Sequence, residues 1–278
     1  MPEQELSFFT RENLDMYLKD LAKEFRKLNG AKTPAEIILI GGAAILARYG
    51  FRNLTYDVDA IIVASSAMKD AINRVGDKHG LPQGWLNADF KRTASYSDKL
   101  FEVSVFYRTF SNILNIRVVA AEHLLAMKMM SGRQYKNDLS DIVGILWEHQ
   151  KNGEPISREA IENAVVSLYG ADAVIPQISR QLLDTISTDG DYEALYRRVS
   201  ENERKSKELL MVFQQEYPYV LRTENIDTVI EQMKRKQNTS PQKDSLLAKL
   251  NAAKAAVREA DGKSAITRAK KELSDQEH

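Results

Sequence analysis

The chain has 278 residues, of which 43% are hydrophobic, enough to bury a core and to form one large domain or two. Its 39 Lys and Arg residues equal its 39 Asp and Glu residues, so charge does not point to a dedicated nucleic-acid-binding protein. The absence of cysteine excludes disulfides and thiolate metal sites. Because we find neither a signal peptide nor an apolar stretch of about 20 residues, we expect a cytoplasmic protein without a membrane span.

The first part of the chain alternates helices with short apolar strands. Apolar residues at three- and four-residue spacing predict an amphipathic helix over 10–29. The segment AEIILIGG (35–42) predicts a buried strand that ends in a tight turn at Gly41 and Gly42, and a short helix follows. FRNLTYDVDAIIVA (51–64) predicts a second strand.

Further elements complete the predicted fold. In chain order they are a helix (65–80), a loop (81–98), strands (99–107 and 112–120) and helices (121–131 and 137–150). Together they predict an α/β (α+β) fold with a mixed sheet flanked by helices over residues 1–150. Residues 151–236 show only helical patterns and predict an all-helical domain. Residues 237–278 predict a linker and a charged tail, helical or disordered.

Two acids one residue apart open the second strand. Because residues i and i+2 of a strand face the same side, Asp57 and Asp59 are expected to project together. Two bare carboxylates repel each other, and a bound cation removes that cost. Mg²⁺ (or Mn²⁺) prefers oxygen ligands and combines one or two carboxylates with substrate phosphates. Glu102, in the apolar segment LFEVSV, is the predicted third metal-binding and catalytic carboxylate.

The glycine pair suggests a phosphate site beside these acids. Backbone amides of Gly41 and Gly42, at the start of a helix, can approach the phosphates of a nucleoside triphosphate closely. Each feature also has an ordinary structural explanation. An Asp-x-Asp pair can be a solvated strand end, Gly-Gly a simple turn, and Glu102 an exposed acid on an edge strand.

The segment GGAAILARYGFRNLTYDVDAIIV (41–63) resembles the nucleotidyltransferase superfamily, whose fold is polymerase-beta-like. It is similar above all to the AbiEii-like and minimal nucleotidyltransferase branch, which is related to toxin–antitoxin systems. That branch shows an R-x-x-T-x-D-hydrophobic-D pattern, which Arg52, Thr55, Asp57 and Asp59 match. The resemblance implies that Arg52 and Thr55 belong to the nucleotide-binding site. LPQGWLN (81–87) also looks like a segment of such proteins.

A second segment, LLAMKMMSGRQYKNDLSDIVGIL (124–146), carries the remaining family residues Lys128, Arg133, Asp138 and Asp141. The resemblance implies a role for Lys128 at the nucleotide phosphates and for Asp138 near the catalytic centre. The alternative is structural: Lys128 extends to solvent, Asp138 supports a helix N-terminus and Asp141 faces water. For Arg133 and Asp141 we favour the structural role.

The resemblance implies metal-dependent transfer of a nucleoside monophosphate from a nucleoside triphosphate to an acceptor hydroxyl. The acceptor is RNA or tRNA, a protein, or a small molecule, and the related toxins suggest a toxin with a cognate antitoxin as partner. The alternative is a catalytically inactive protein of the same fold that acts as a nucleotide sensor or protein-interaction module. The basic run over 196–207 is either a solvated helix face or a patch that binds RNA.

Overall fold

The structure is a computed structural model that describes residues 8–31, 33–93 and 95–239. Its contacts divide the chain into two compact units, Met1–Lys207 and Glu208–His278. The domain boundaries at residues 150 and 236 stay predictions, although the first compact unit extends well beyond residue 150. Of the predicted tail over 237–278, all but the first three residues lie outside the described residues.

Five strands form the sheet. They are β1 (Ala35–Leu39), β2 (Val58–Val63), β3 (Leu86–Asn87), β4 (Ser104–Phe110) and β5 (Leu114–Val119), in the order β3-β2-β1-β5-β4. The central strand β1 is parallel to β5 and antiparallel to β2. At the edges, β3 is parallel to β2 and β4 is antiparallel to β5. The predicted mixed sheet is therefore confirmed.

Helices flank this sheet in the first unit. They are α1 (Arg11–Asn29), α2 (Gly41–Arg48), α3 (Ala67–His79), α4 (Ala121–Ser131), α5 (Asp138–Lys151), α6 (Arg158–Tyr169) and α7 (Gln177–Asp189). Two more follow along the chain, α8 (Tyr192–Glu216) and α9 (Ile226–Thr239), so the helical character predicted after residue 150 is confirmed. Within the described ranges, no helix is both long enough and apolar enough to cross a membrane.

The hydrophobic core surrounds β1. Ile37, Ile38 and Leu39 are completely buried, as expected for a continuous apolar strand covered on both faces. The predicted N-terminal helix is α1, which begins after the N-cap Thr10 and buries its apolar stripe. Thr10 and Asn13 form a capping box that satisfies amides left unpaired at the helix start.

Three sequence-based assignments need correction. The predicted loop over 81–98 contains β3, whose two residues are too few to show a periodic pattern. Glu102 was predicted within a strand, but β4 begins only at Ser104, and the Glu102 amide turns back to bond the Lys99 carbonyl at 3.0 Å. The glycine pair forms the first turn of α2 rather than a separate turn before it.

Candidate active site

The acid pair lies at the start of β2, beside the end of β1. Asp57 directly precedes the strand and is exposed, whereas Asp59 is its second residue and is half-buried. Val58, between them, is completely buried in the core. The carbonyl of Asp59 accepts the amide hydrogen of Ile40 at 3.1 Å, so the strand pairing continues up to the first turn of α2.

The glycine pair brings the helix start against these residues. Gly41 has a φ of +53°, which favours glycine, and a Cβ atom at this position would lie 3.9 Å from Asp59 Oδ2. A Cβ atom on Gly42 would lie 2.6 Å from Thr55 Oγ1 and 3.0 Å from Arg52 Nη2. The missing side chains therefore let the acid pair's loop approach α2 closely.

Thr55 orients Asp57 from within the fold. Its side chain is buried, and Oγ1 donates a hydrogen bond to Asp57 Oδ1 at 3.2 Å. The backbone of Thr55 forms an antiparallel bridge with Phe9, with N–O distances of 2.7 and 2.9 Å. Thr55, a residue of the family pattern, thus holds the Asp57 carboxylate in place, and the Thr55 backbone is itself fixed by its bridge to Phe9.

The surroundings of Asp59 favour its neutral form. Burial raises its pKa first, and the charges of Asp57 and Asp89 raise it further, while a hydrogen bond from Asn87 and the charge of Lys128 act in the opposite direction. Asn87 is the residue of β3 that pairs with Asp59, so the register of that short strand places an amide beside the carboxylate. A cation bound here would relieve the repulsion between the acids.

A buried ion-pair network lies behind the acid pair. Lys128 Nζ is 2.8 Å from Asp138 Oδ1 and 2.8 Å from Asp141 Oδ2. Arg52 Nη1 lies 2.7 Å from Asp141 Oδ2, and Arg133 Nε lies 2.7 Å from Asp138 Oδ2. Each buried acid therefore has two cationic partners, as buried charges require.

The network sets the charge states of its members. Burial raises the pKa of the Asp138 carboxyl, but Lys128 and Arg133 outweigh it and hold that pKa well below its usual range. Burial lowers the pKa of Lys128, and the charges of Asp138 and Asp141 outweigh it, so the net shift is upward. Lys128 thus stays charged among the buried apolar residues of α4, and it does not extend to solvent, because its side chain is only 10% exposed.

One face of α5 holds the loop that leads to the acid pair. Asp141 binds Arg52, and Glu148 Oε1 accepts the amide hydrogens of Gly50 and Phe51 at 2.6 and 2.8 Å. Between them, Gly144 leaves room for Phe51, whose ring would lie 2.5 Å from a Cβ atom there. Positions 141, 144 and 148 share one face of α5, so the helix contacts the loop before β2 over two turns.

Residues 16–150 match the model of a family described as "Nucleotidyltransferase of unknown function (DUF6036)". The match identifies this region as nucleotidyltransferase-like. It supports the superfamily predicted from the sequence and does not test the AbiEii-like branch. No curated protein and no solved structure gives a significant match to the chain.

All sequence-predicted site residues fall in the nucleotidyltransferase-like region, and most of them lie together there. Gly41, Gly42, Arg52, Thr55, Asp57 and Asp59 surround the start of α2, with Lys128, Arg133, Asp138 and Asp141 in the network behind. Glu102 is the exception. It is exposed and precedes β4, three strand positions from β2, a separation of about 14 Å at the usual strand spacing.

The structure adds residues of the nucleotidyltransferase-like region that sequence reasoning missed. Asn87 and Asp89 act on Asp59, and Glu148 binds the loop before β2. The segment that ends at Asn87 drew attention by its likeness to such proteins, but its only strand has two residues. Glu148 lies in the last turns of an ordinary amphipathic helix, where nothing in the pattern marks it.

Proposed function

We propose that the chain is a metal-dependent nucleotidyltransferase that moves a nucleoside monophosphate from a nucleoside triphosphate to an acceptor hydroxyl. The observation that carries this proposal is the approach of Asp59 to the first residue of α2, with 3.9 Å between Asp59 Oδ2 and a Cβ atom built on Gly41. Backbone amides that can bind phosphate thus lie next to a carboxylate that can bind a cation.

The residues present fit Mg²⁺ (or Mn²⁺). Asp57 and Asp59 would hold the ion, with the Asn87 amide as a further neighbour of Asp59. Among the described residues, no group of three or more His, Cys, Asp or Glu side chains could hold a metal. Two carboxylates suffice for Mg²⁺ when substrate phosphates and water supply the other ligands, and the ion when bound would neutralise developing phosphate charge.

The residues of the chain itself would bind and orient the substrate. The amides of Gly41 and Gly42 donate to phosphate oxygens, and the absence of side chains there keeps the approach open. The acceptor oxygen forms a bond to the α-phosphorus, and the bond from that phosphorus to the bridging oxygen breaks. Pyrophosphate leaves, and the hydroxyl proton passes to Asp57 or Asp59. Catalysis then comes from positioning and charge stabilisation.

Lys128 and Asp138 contribute to this site through their pairing. Lys128 is bound to two aspartates, and its charge acts on Asp59. We therefore propose that both residues support the acid pair and Arg52 from behind. Direct contact of Lys128 with phosphate, which the resemblance implies, stays a prediction.

The proposal does not specify the acceptor. The basic run over 196–207 lies on α8, and its ion pairs support the interpretation as a solvated helix face. Arg197 pairs with Glu193, Arg198 with Asp189, and Arg204 with Glu201. RNA or tRNA, a protein or a small molecule all remain candidate acceptors. Toxin activity and a cognate antitoxin likewise stay predictions from the resemblance.

A second candidate function is a catalytically inactive nucleotide sensor or protein-interaction module. The observation that favours it is that no group of three or more His, Cys, Asp or Glu side chains among the described residues could hold a metal ion, so Asp57 and Asp59 lack a third acid placed as a metal ligand. A sensor would bind Mg²⁺ and a nucleoside triphosphate and would not release pyrophosphate.

One experiment separates the two candidates. The protein is incubated with Mg²⁺ and each α-labelled nucleoside triphosphate, together with total RNA, total protein or small hydroxyl compounds, and the label is followed. The proposal expects label on one acceptor class with the wild type and with Asp77→Asn, an exposed acid of α3, but not with Asp57→Asn. Binding of the nucleotide without any transfer would support the sensor.

A further inference from the structure

A carboxyl group from α8 caps the N-terminus of α5. Glu203 is only 4% exposed, and its Oε1 accepts the amide hydrogens of Leu139 at 2.8 Å and Ser140 at 3.3 Å. These amides belong to the first turn of α5, where no carbonyl of the same helix can accept them. The N-cap residue itself, Asn137, makes no side-chain cap bond to any described residue. The cap therefore comes from a residue that lies 64 positions beyond Leu139 and 63 positions beyond Ser140 in the sequence.

This cap controls the helix on which the active site rests. Asp138 begins α5 and Asp141 follows one turn later, and these two acids hold Lys128, Arg133 and Arg52. Farther along the same helix, the Glu148 side chain binds backbone amides of the loop before β2. A shift or fraying of the first turn of α5 would therefore displace the ion-pair network and the loop together.

The stability of α8 does not explain the presence of Glu203. Its Oε2 is buried and finds no hydrogen-bond partner among the described residues. The charge of Asp141 also disfavours ionisation of Glu203. Burying a carboxyl group with one oxygen unsatisfied costs free energy that an apolar side chain would not. The feature that requires an oxygen at this position is the first turn of α5.

We propose that Glu203 is a positioning residue of the active site. By capping α5, it fixes Asp138 and Asp141, and through them Lys128 and Arg52, in the arrangement that nucleotidyl transfer needs. This inference rests on the proposed function for its catalytic consequence. Its structural part, the hold of Glu203 on α5 and on the loop over 50–57, can be measured without any substrate.

Four variants test the proposal. Glu203→Leu removes the acceptor, and Glu203→Asp withdraws it by one methylene while keeping a carboxyl group. Glu203→Gln keeps an oxygen at the same reach. Glu201→Gln is the matched control, because Glu201 is a partly exposed acid of the same helix that pairs with its helix neighbours Arg204 and Lys205. If the Leu variant does not fold, the Asp variant carries the test.

The substrate-free measurement is amide hydrogen exchange. In Glu203→Leu and Glu203→Asp, exchange at Leu139 and Ser140 and in the loop over 50–57 should rise about tenfold, with α1 unchanged. The Gln variant and the control should stay within about threefold of the wild type. Unchanged exchange of the loop in the Leu or Asp variant would overturn the proposal, whether or not the protein transfers nucleotides.

The catalytic measurement uses the acceptor class found by labelling. The Leu and Asp variants should lose about tenfold or more in kcat, with KM changed less, and the Gln variant should restore kcat. Wild-type kcat in the Leu or Asp variant would overturn the catalytic role. If the wild type transfers no label to any acceptor, the proposed function has failed, and the exchange result alone decides whether Glu203 positions the loop.

Discussion

Arg52 Nη1 lies 2.9 Å from Asp141 Oδ1 and 2.7 Å from Asp141 Oδ2, which ties the loop before β2 to the first turns of α5. Both side chains are largely buried, with 14% and 2% exposure. The acid pair thus depends on a partner 89 residues from Arg52 in the sequence. This dependence makes the site sensitive to substitutions that never touch a nucleotide.

We predict that Arg52→Ala destabilises the protein by about 1–3 kcal/mol and abolishes nucleotide binding. The loss of the guanidinium leaves the buried Asp141 with Lys128 as its remaining cation. Chemical denaturation gives the free energy of unfolding. Arg198→Ala, which breaks an exposed pair with Asp189, should cost less than about 1 kcal/mol. Equal losses for the two variants would contradict the account.

Gly42→Ala should destabilise the protein by about 1–3 kcal/mol and weaken nucleotide binding. The new Cβ atom would lie 2.6 Å from Thr55 Oγ1, so the residue that orients Asp57 must move. In the double variant with Thr55→Ala, the two losses should be less than additive, because the clash with Oγ1 is gone.

Gly76→Ala is the matched control for that substitution. Gly76 lies inside α3, and a Cβ atom there would meet the Trp85 ring at an ordinary 3.4 Å. Alanine in a helix interior should therefore leave stability unchanged or raise it by up to about 1 kcal/mol. Thermal melts of both alanine variants measure the contrast, and a Gly42 variant as stable as the wild type would show that the loop does not press on α2.

Asp89→Asn and Glu102→Gln should differ in their effect on Mg²⁺. Asp89 raises the pKa of Asp59, so its charge reaches the acid pair, and its loss should weaken Mg²⁺ binding in the presence of nucleotide about threefold or more. Glu102, beside the far edge strand, should change that affinity less than about twofold. Titration of Mg²⁺ measures both, and the reverse pattern would restore Glu102 as the third carboxylate.

The stability of the wild type relative to Glu203→Gln should fall as pH rises. Burial raises the pKa of Glu203 from 4.5 to about 8, with Ser140, Leu139 and Asp141 from α5 and Tyr196 from α8 as its neighbours. Between these values the folded protein binds a proton that the unfolded chain does not. The stability that the Glu203 carboxyl group contributes is therefore fully present below pH 4.5 and is lost as the pH rises through about 8.

Denaturation of both proteins between about pH 6 and pH 9 measures this effect. Glutamine mimics the protonated acid and does not titrate, so the difference in unfolding free energy isolates the carboxyl group. A difference that stays constant over this range would mean that Glu203 does not exchange a proton there.

The sequence predicted the elements that have a long hydrophobic pattern or that carry characteristic residue types at fixed spacing. The apolar stripe of α1 and the helices after residue 150 follow from periodicity, and β1 follows from the short apolar run over 37–39. The approach of the glycine pair to Asp59 agrees with an expectation drawn from a few residue types at fixed spacing.

The rest depends on tertiary contacts that periodicity cannot report. The two residues of β3 are held by the register with β2, and their own sequence is too short to specify a strand. Glu102 followed an alternating pattern, but the local turn at Lys99 delays the strand. Glu203 resembled any acid of a charged helix, and only the packing of α8 on α5 shows that it caps another helix.

We propose above that Asp57, Asp59 and the start of α2 form one metal–nucleotide site. This site can be tested by calorimetric titration of each nucleoside triphosphate, with and without Mg²⁺, into the wild type, Asp59→Asn and Asp77→Asn. We expect saturable binding of at least one nucleotide that requires Mg²⁺, survives in Asp77→Asn and weakens about 100-fold or more in Asp59→Asn. Equal affinity in the wild type and Asp59→Asn, or binding to none of the nucleotides, would refute the site.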